Sequence, residues 1–248
     1  MRQRWAILGW LAPIALMLLL VTTNVRLVTN SLTVYTALFE RHDVSQRTGI
    51  RMESLRDVGR QIQDYFNSDT EPLRVTATVN GVPRELFNEL EASHMADVKQ
   101  LFLRTYRVQA ASALFLLLVS VLAWVQLRRG ALREFAHWLW RGGVLTLGVI
   151  GALGIGSIVA FDALFTLFHY IGFPQGNWTF DPRTDYLVRV FPFGFWQDVT
   201  LLIGGLTVLL AALAIGAGWV ARRQLRPAET RAQRLPRTPR EAAGKQAR

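Results

Sequence analysis

The chain has 248 residues, about half of them hydrophobic, a formal net charge of +10 and no cysteine. The hydrophobic residues concentrate in four blocks, so the chain reads as an integral membrane protein rather than as one or two soluble domains. The missing cysteine excludes disulfides, thiolate metal sites and a thioester intermediate, and the positive charge is accounted for by topology without a nucleic-acid partner.

The first block, Trp5 to Thr22, follows Arg2 and Arg4. Its length is close to the ~20 residues that a helix rising ~1.5 Å per residue needs to cross ~30 Å of hydrocarbon, which predicts a transmembrane helix over 1–22. A secretory signal is the alternative, against which stands the lack of a following A-x-A-like cleavage site. Pro13 predicts a kink in this helix. Residues 23–105 are the only stretch between blocks large enough for a domain. There, Gly49 to Phe66 sets Ile50, Leu55, Val58, Ile62, Tyr65 and Phe66 on one side of a helix. LRVTATVNGVPRELF then alternates around Asn80-Gly81, a pair suited to the positive φ angles of a tight hairpin turn.

Asn88 caps a helix through ELEASHMADVKQLFLRTYRVQ that runs on into a second span, Val108 to Leu127, taken as 106–127. A short turn over 128–141 leads to a third span, Gly142 to Phe161, taken as 142–162. The segment 163–197, crowded with Phe, Trp, Tyr and Pro, suits a loop lying in the headgroup layer. A fourth span, Val199 to Ala221, taken as 198–221, precedes a basic tail over 222–248 whose composition predicts disorder. No internal repeat of 20–50 residues is present. The expected fold class is mainly α and integral to the membrane: four transmembrane helices with a small α+β extracytoplasmic module between the first and second. Rows of small residues, Gly148, Ala152 and Gly156 in the third helix and Ala212 and Gly216 in the fourth, predict close helix contacts.

Orientation follows from the distribution of Arg and Lys. Arg2, Arg4, Arg128, Arg129, Arg133, Arg141 and the nine Lys and Arg after Ala221 face only Glu134, Glu229 and Glu241, whereas the other two connecting segments carry thirteen cations and thirteen acids. Both termini are therefore expected in the cytoplasm. The tail can also touch anionic lipid heads, at about 1 kcal/mol per nearby cation.

Of the four histidines, His42 lies in a charged outer stretch and His137 in HWLWR, and both read as structural. Asp198 reads as a favourable negative charge at the start of the fourth helix. His94 has Asp97 at i+3, close enough to hold the ring in one tautomer. His169 lies two turns beyond Asp162 on a helix emerging at the outer surface. A charge at the bilayer centre costs roughly 2.5 to 3.5 kcal/mol, so Asp162 either faces the bundle interior or lies shallow enough to be wet or paired with an arginine. Two histidines on the outer side suggest a site at the depth of lipid ester bonds.

HMADVKQLF, His94 to Phe102, and FHYIGFPQGNWTFDPRTDYLVRVFPFGFW, Phe168 to Trp196, resemble the two signatures of the bacterial lipoprotein intramolecular transacylases, which are four-span membrane proteins. The resemblance implies an acyltransferase of the bacterial plasma membrane whose active site faces away from the cytoplasm. Its substrate would be a lipoprotein whose first cysteine carries a diacylglyceryl group; the sn-2 acyl chain moves to that cysteine's α-amine, giving an N-acyl lyso-lipoprotein. It implies His94 and His169 as catalytic residues in exchangeable roles, one as base toward the amine and the other at the oxyanion or the departing oxygen. Asp97 would orient His94, and Phe173, Trp178 and Asp181 would line the site or fix the loop. No cofactor is expected, and membrane lipids are the other partners. Because nucleophile and ester belong to one substrate no acyl-enzyme is required, although Ser93 beside His94 keeps a covalent route open. The sequence departs from the family pattern at Phe193, where an acidic residue is more usual. Two rivals stand beside this reading: a zinc-dependent lipid hydrolase using His94, His169 and a carboxylate, and a non-enzymatic assembly or transport accessory.

Overall fold

The computed structural model describes residues 2–225, so the basic tail from residue 226 lies outside the described part. Four long helices dominate: α1 (Arg2–Thr29), α5 (Glu89–Leu127), α6 (Ala131–Val159) and α9 (Phe193–Gln224). α1 packs along α5, α6 and α9, and the α6–α9 interface is the most extensive. Three helical runs are long and apolar enough to cross a membrane: Leu8–Thr29, Glu89–Val159 and Phe193–Gln224. The middle run has 71 residues and would extend roughly 105 Å if straight, far more than a bilayer needs. It is broken at Arg128–Gly130 by a 3₁₀ turn in which Arg128 has a φ of 51°, and because α1 packs against both α5 and α6 the chain folds back there.

Between α1 and α5 lies a module of α2 (Leu32–Arg41), α3 (Val44–Thr48), α4 (Met52–Phe66), β1 (Thr76–Val79) and β2 (Val82–Glu85). α4 buries Leu55, Val58, Ile62, Tyr65 and Phe66, the side the apolar spacing marks. The hairpin pairs Thr76 with Glu85 and Val79 with Val82, and its turn sets Asn80 at φ 48° and Gly81 at φ 85°, both positive as a tight two-residue connection requires. α2 and α3 are elements the sequence reading leaves undivided; Ser31 caps α2 by accepting from the Val34 amide, and Gly49 at φ 73° closes α3. The module is not self-contained. Tyr35 and Phe39 of α2 pack edge-on and stacked against Phe195 of α9, and both meet Phe191 just before it.

Between α6 and α9 the chain forms α7 (Phe161–Gly172) and the short α8 (Leu187–Val190). α7 occupies the junction that the hydropathy pattern divides between a third span and a loop; the break falls at Ala160, whose φ of −146° leaves the helical region. Two sequence expectations need correction. Gly148 and Gly216 have open space where a Cβ would stand, and a Cβ on Gly156 would stand 2.9 Å from Leu164 of α7, so the rows do not form the α6–α9 contact at Gly148 and Gly216. The close approach lies elsewhere: a Cβ on Gly143 would stand 2.7 Å from the Ala211 carbonyl oxygen, and one on Gly218 would stand 2.8 Å from that of Ala136. Asp198 does not sit in the first turn of α9, which begins at Phe193; its carboxylate forms an ion pair with Arg41 Nε at 3.0 Å and accepts from His42 Nε2 at 2.9 Å, joining α9 to the end of α2.

Candidate active site

The site begins with the cap of α5. Asn88 accepts from the Glu91 amide at 2.9 Å while Glu91 Oε2 accepts from the Asn88 amide at 2.7 Å, a reciprocal capping box. Glu91 is 1% exposed, and its other oxygen accepts from the Leu187 amide at 2.6 Å, tying the segment before α9 to the start of α5. Burial raises the Glu91 pKa, and the backbone donors act against that rise. One turn further on, ahead of the apolar stretch that begins at Val108, α5 presents His94.

α7 brings His169 to the same place. The two imidazoles stack with centroids 6.0 Å apart and planes 21° from parallel, and both side chains are buried. Phe173 lies against both, 4.6 Å from His94 and 5.4 Å from His169. Phe180 closes on His94 at 5.5 Å, while Trp178 at 5.1 Å, Phe165 at 4.2 Å and Phe168 at 5.4 Å surround His169.

The loop after α7 is fastened to α5 by polar contacts. Asp97 accepts from Gln175 Nε2 at 2.6 Å and from Asn177 Nδ2 at 2.7 Å. Asp185 accepts from the Asp181 amide at 2.8 Å and from Asn88 Nδ2 at 3.2 Å. These bonds and the Glu91–Leu187 contact hold residues 175–187 over α5, which is how side chains 75 positions apart in the chain come to face each other.

The electrostatics favour neutral rings. Burial, with the neighbouring His169 second, pushes His94 down to about 4, against an opposing pull from Asp97 and Asn177. Burial likewise lowers His169, opposed by its bond to the Phe165 carbonyl. His169 Nδ1 stands 2.7 Å from that carbonyl oxygen, so Nδ1 carries the hydrogen and Nε2 the lone pair. A pair of neutral, desolvated imidazoles in an aromatic socket can accept a proton from a substrate and return it.

Of the residues singled out in the sequence, His94, His169, Phe173 and Trp178 meet. Asp97 acts on the loop: its carboxylate is engaged by Gln175 and Asn177, not by the His94 ring. Asp181 pairs with Arg183 at 2.6 Å and shapes the loop away from the rings. Asp162 is exposed on the first turn of α7 and does not face the two rings. Phe193 packs against Phe161 at 5.0 Å and Phe165 at 5.5 Å, so it buttresses the ring that supports His169. The sequence reading passed over Glu91, Asn177, Phe165 and Phe180. Only Glu91 carried a local signal, the N-x-x-E spacing of a capping box. Among the described residues no three His, Asp or Glu side chains cluster as metal ligands, so the zinc reading lacks its third ligand there.

Comparison with known proteins places this geometry. A family model described as lipoprotein intramolecular transacylase Lit matches residues 10–196. An uncharacterised protein of Aquifex aeolicus is 29% identical over 143 residues, a match covering 58% of this chain and 61% of that relative, so the chain spans about three fifths of the curated relative's length. The structure of the membrane-integral lipoprotein intramolecular transacylase Lit from Bacillus cereus superposes with a TM-score of 0.78, covering 90% of this chain and 98% of that one at 14% identity. A structure of the same Bacillus cereus protein with one histidine replaced by alanine gives a TM-score of 0.70, with coverage of 88% and 94% at 13% identity.

Proposed function

The chain belongs to the lipoprotein intramolecular transacylase family Lit, and from that premise we propose that it moves the sn-2 acyl chain of a lipoprotein's diacylglyceryl-cysteine to the α-amine of the same cysteine. The observation that carries this reading is the stacking of His94 on His169 inside an aromatic socket. The α-amine nitrogen attacks the ester carbonyl carbon, the carbon–oxygen bond to the glyceryl group breaks, and the proton lost by nitrogen ends on the glyceryl oxygen. One imidazole takes that proton as the nitrogen becomes acidic in the tetrahedral adduct and then delivers it to the departing oxygen, while the other hydrogen-bonds to the reacting groups. Nucleophile and ester share one substrate, so holding it folded supplies several kcal/mol through orientation alone.

The apolar helical runs and the reversal at Arg128–Gly130 support four membrane crossings. With both termini in the cytoplasm, the module and the histidines stand on the extracytoplasmic face of the bacterial plasma membrane. The exposed apolar residues of α7, Leu167, Phe168 and Ile171, support a site at headgroup depth, where the scissile ester of a membrane-anchored substrate lies.

The test is expression of the full chain in a host that makes diacylated lipoproteins with free amines, followed by mass spectrometry of the N-terminal lipopeptide. An N-acyl, lyso product is expected; a free amine with both ester chains retained would count against the transacylase. His94→Ala and His169→Ala, each checked for membrane accumulation, should lower N-acylation by about 10²- to 10⁴-fold, the range of a lost acid–base group. Undiminished product from either variant removes that histidine from the reaction.

A further inference from the structure

We propose that the cleft between the C-terminal end of α1 and the facing part of α5 seats the phosphate of a membrane phospholipid, held by Arg26. The proposal goes beyond the transacylase reading and does not rest on it. A diacylglyceryl-cysteine carries no phosphate, and Gln109, on the wall of the cleft, lies fifteen residues beyond His94 on the same helix, about 22 Å along its axis. The cleft has a volume of about 510 Å³, which is within the range of small-molecule sites. Its depth suits a headgroup. Arg26 and Leu27 stand in the last turn of the apolar run Leu8–Thr29, and Gln109 stands where the apolar stretch of α5 begins at Val108. Hydrocarbon therefore ends at the cleft, and Leu27, 61% exposed on its lining, offers acyl chains an apolar wall. In the topology proposed above, this end of α1 lies in the outer leaflet.

Arg26 is the one charged residue among those lining the cleft. Every ion pair among the described residues is formed elsewhere, so no carboxylate neutralises this guanidinium. An arginine that only snorkels reaches for water along its own helix; this one crosses to α5, where it lies over the Tyr106 ring at 4.7 Å and donates from Nη1 to Gln109 Oε1 at 3.3 Å. A guanidinium has a planar fork of five N–H donors, and one long bond leaves most of that fork for the two oxygens of a phosphate. The surrounding side chains add donors and hide acceptors. Gln109 Nε2 donates to Thr23 Oγ1 at 3.0 Å, which leaves the threonine hydrogen to give. Asn67 Nδ2 donates to Asn30 Oδ1 at 2.5 Å, and Asn30 Nδ2 donates to the Tyr106 hydroxyl at 2.8 Å, which leaves the phenol hydrogen to give. The amide oxygens of Gln109 and Asn30, which would repel an anion, are thus both occupied. The anion met where hydrocarbon gives way to headgroups is the lipid phosphodiester.

Native mass spectrometry of the full chain released from detergent, after titration with dioleoylphosphatidylglycerol or with dioleoylglycerol, tests this. The first phospholipid should bind about tenfold more tightly than the diacylglycerol of the same chains, as charge-assisted hydrogen bonds to one phosphate provide. Arg26→Gln should lose that preference. Arg107→Gln, which removes an exposed arginine two residues before Gln109, should keep it. Should Arg26→Gln not accumulate, Asn67→Asp serves as the second variant: the position is exposed, and a carboxylate on the lining should weaken the phospholipid and leave dioleoylglycerol unchanged. Equal binding of the two lipids by the wild type overturns the proposal. Equal losses in Arg26→Gln and Arg107→Gln overturn it too, by reducing the effect to surface charge. Inorganic phosphate supplies the last arm: if millimolar phosphate displaces the lipid, the cleft takes the free anion and the lipid assignment falls. None of these readouts depends on N-acylation, so the transacylase reading stands or falls separately.

Discussion

At the scale of residues, the candidate site sets two ordinary weak bases out of contact with water. An imidazole in water titrates near 6.5; burial among Phe165, Phe173, Phe180 and Trp178 favours its neutral form and holds His94 down to about 4. The pH dependence follows with a definite sign. Lowering the pH first protonates the substrate's α-amine, whose pKa is near 8, and an ammonium cannot attack. The rate should therefore fall with unit slope below about pH 8 and show no further break between pH 7 and 6, where an unperturbed histidine would add one. The steeper fall should appear only nearer pH 4 to 5. Initial rates on a solubilised diacylated lipopeptide check this, and a second break at about 6.5 would show that the working imidazole is solvated. Sequence alone singles out His169, a titratable ring among apolar residues, whereas His94, in the charged stretch ELEASHMADVKQ, gains its role from the family resemblance. Sequence did not expose Asn177, which matters only because it donates to Asp97 once the loop is folded over α5.

Elements carry that loop. α5 reads correctly from its cap into its apolar half because each device there is local: Asn88 and Glu91 three apart, then uninterrupted helix formers. Helix packing reads less well. Small residues at a spacing of four mark a face on which backbones could meet, but which face does meet depends on how the helices turn about their axes, and that is set by partners distant in sequence. Gly143 and Gly218 make the contact; Gly148 and Gly216 do not. Gly143→Ala should thus force α6 and α9 apart and cost about 1 to 3 kcal/mol, as overpacking of a tight core does. Gly148→Ala should be neutral or slightly stabilising, since its Cβ meets nothing and alanine is the better helix former. Thermal unfolding of the two variants in one detergent orders them, and an equal loss would mean that the α6–α9 interface runs along the other face. A similar limit applied to α2 and α3: their sequence looks like a charged outer stretch, and only the burial of Tyr35 and Phe39 against Phe191 and Phe195 shows why helices form there.

For the molecule as a whole, those same aromatic contacts make the outer module and the start of α9 one body, with His42 and Arg41 gripping Asp198 at its edge. The module packs on the start of α9 and so stands at the same end of the bundle as the two histidines. Charge says which side that is. The turn at Arg128–Gly130 and its neighbours carry Arg128, Arg129, Arg133 and Arg141 with one acid, while the module balances its cations with carboxylates. Cationic loops tend to stay in the cytoplasm, so the proposed topology has the module outside. Because the natural chain has no cysteine, single introduced thiols report this without background. Asp69→Cys, exposed in the loop after α4, should react in intact cells with a membrane-impermeant maleimide. Arg129→Cys, exposed at the opposite end of the bundle, should react only after the membrane is opened. The reverse pattern would put the imidazoles in the cytoplasmic leaflet, away from diacylated lipoproteins already exported. Labelling of both in intact cells would mean that the chain does not fold back across the bilayer between α5 and α6.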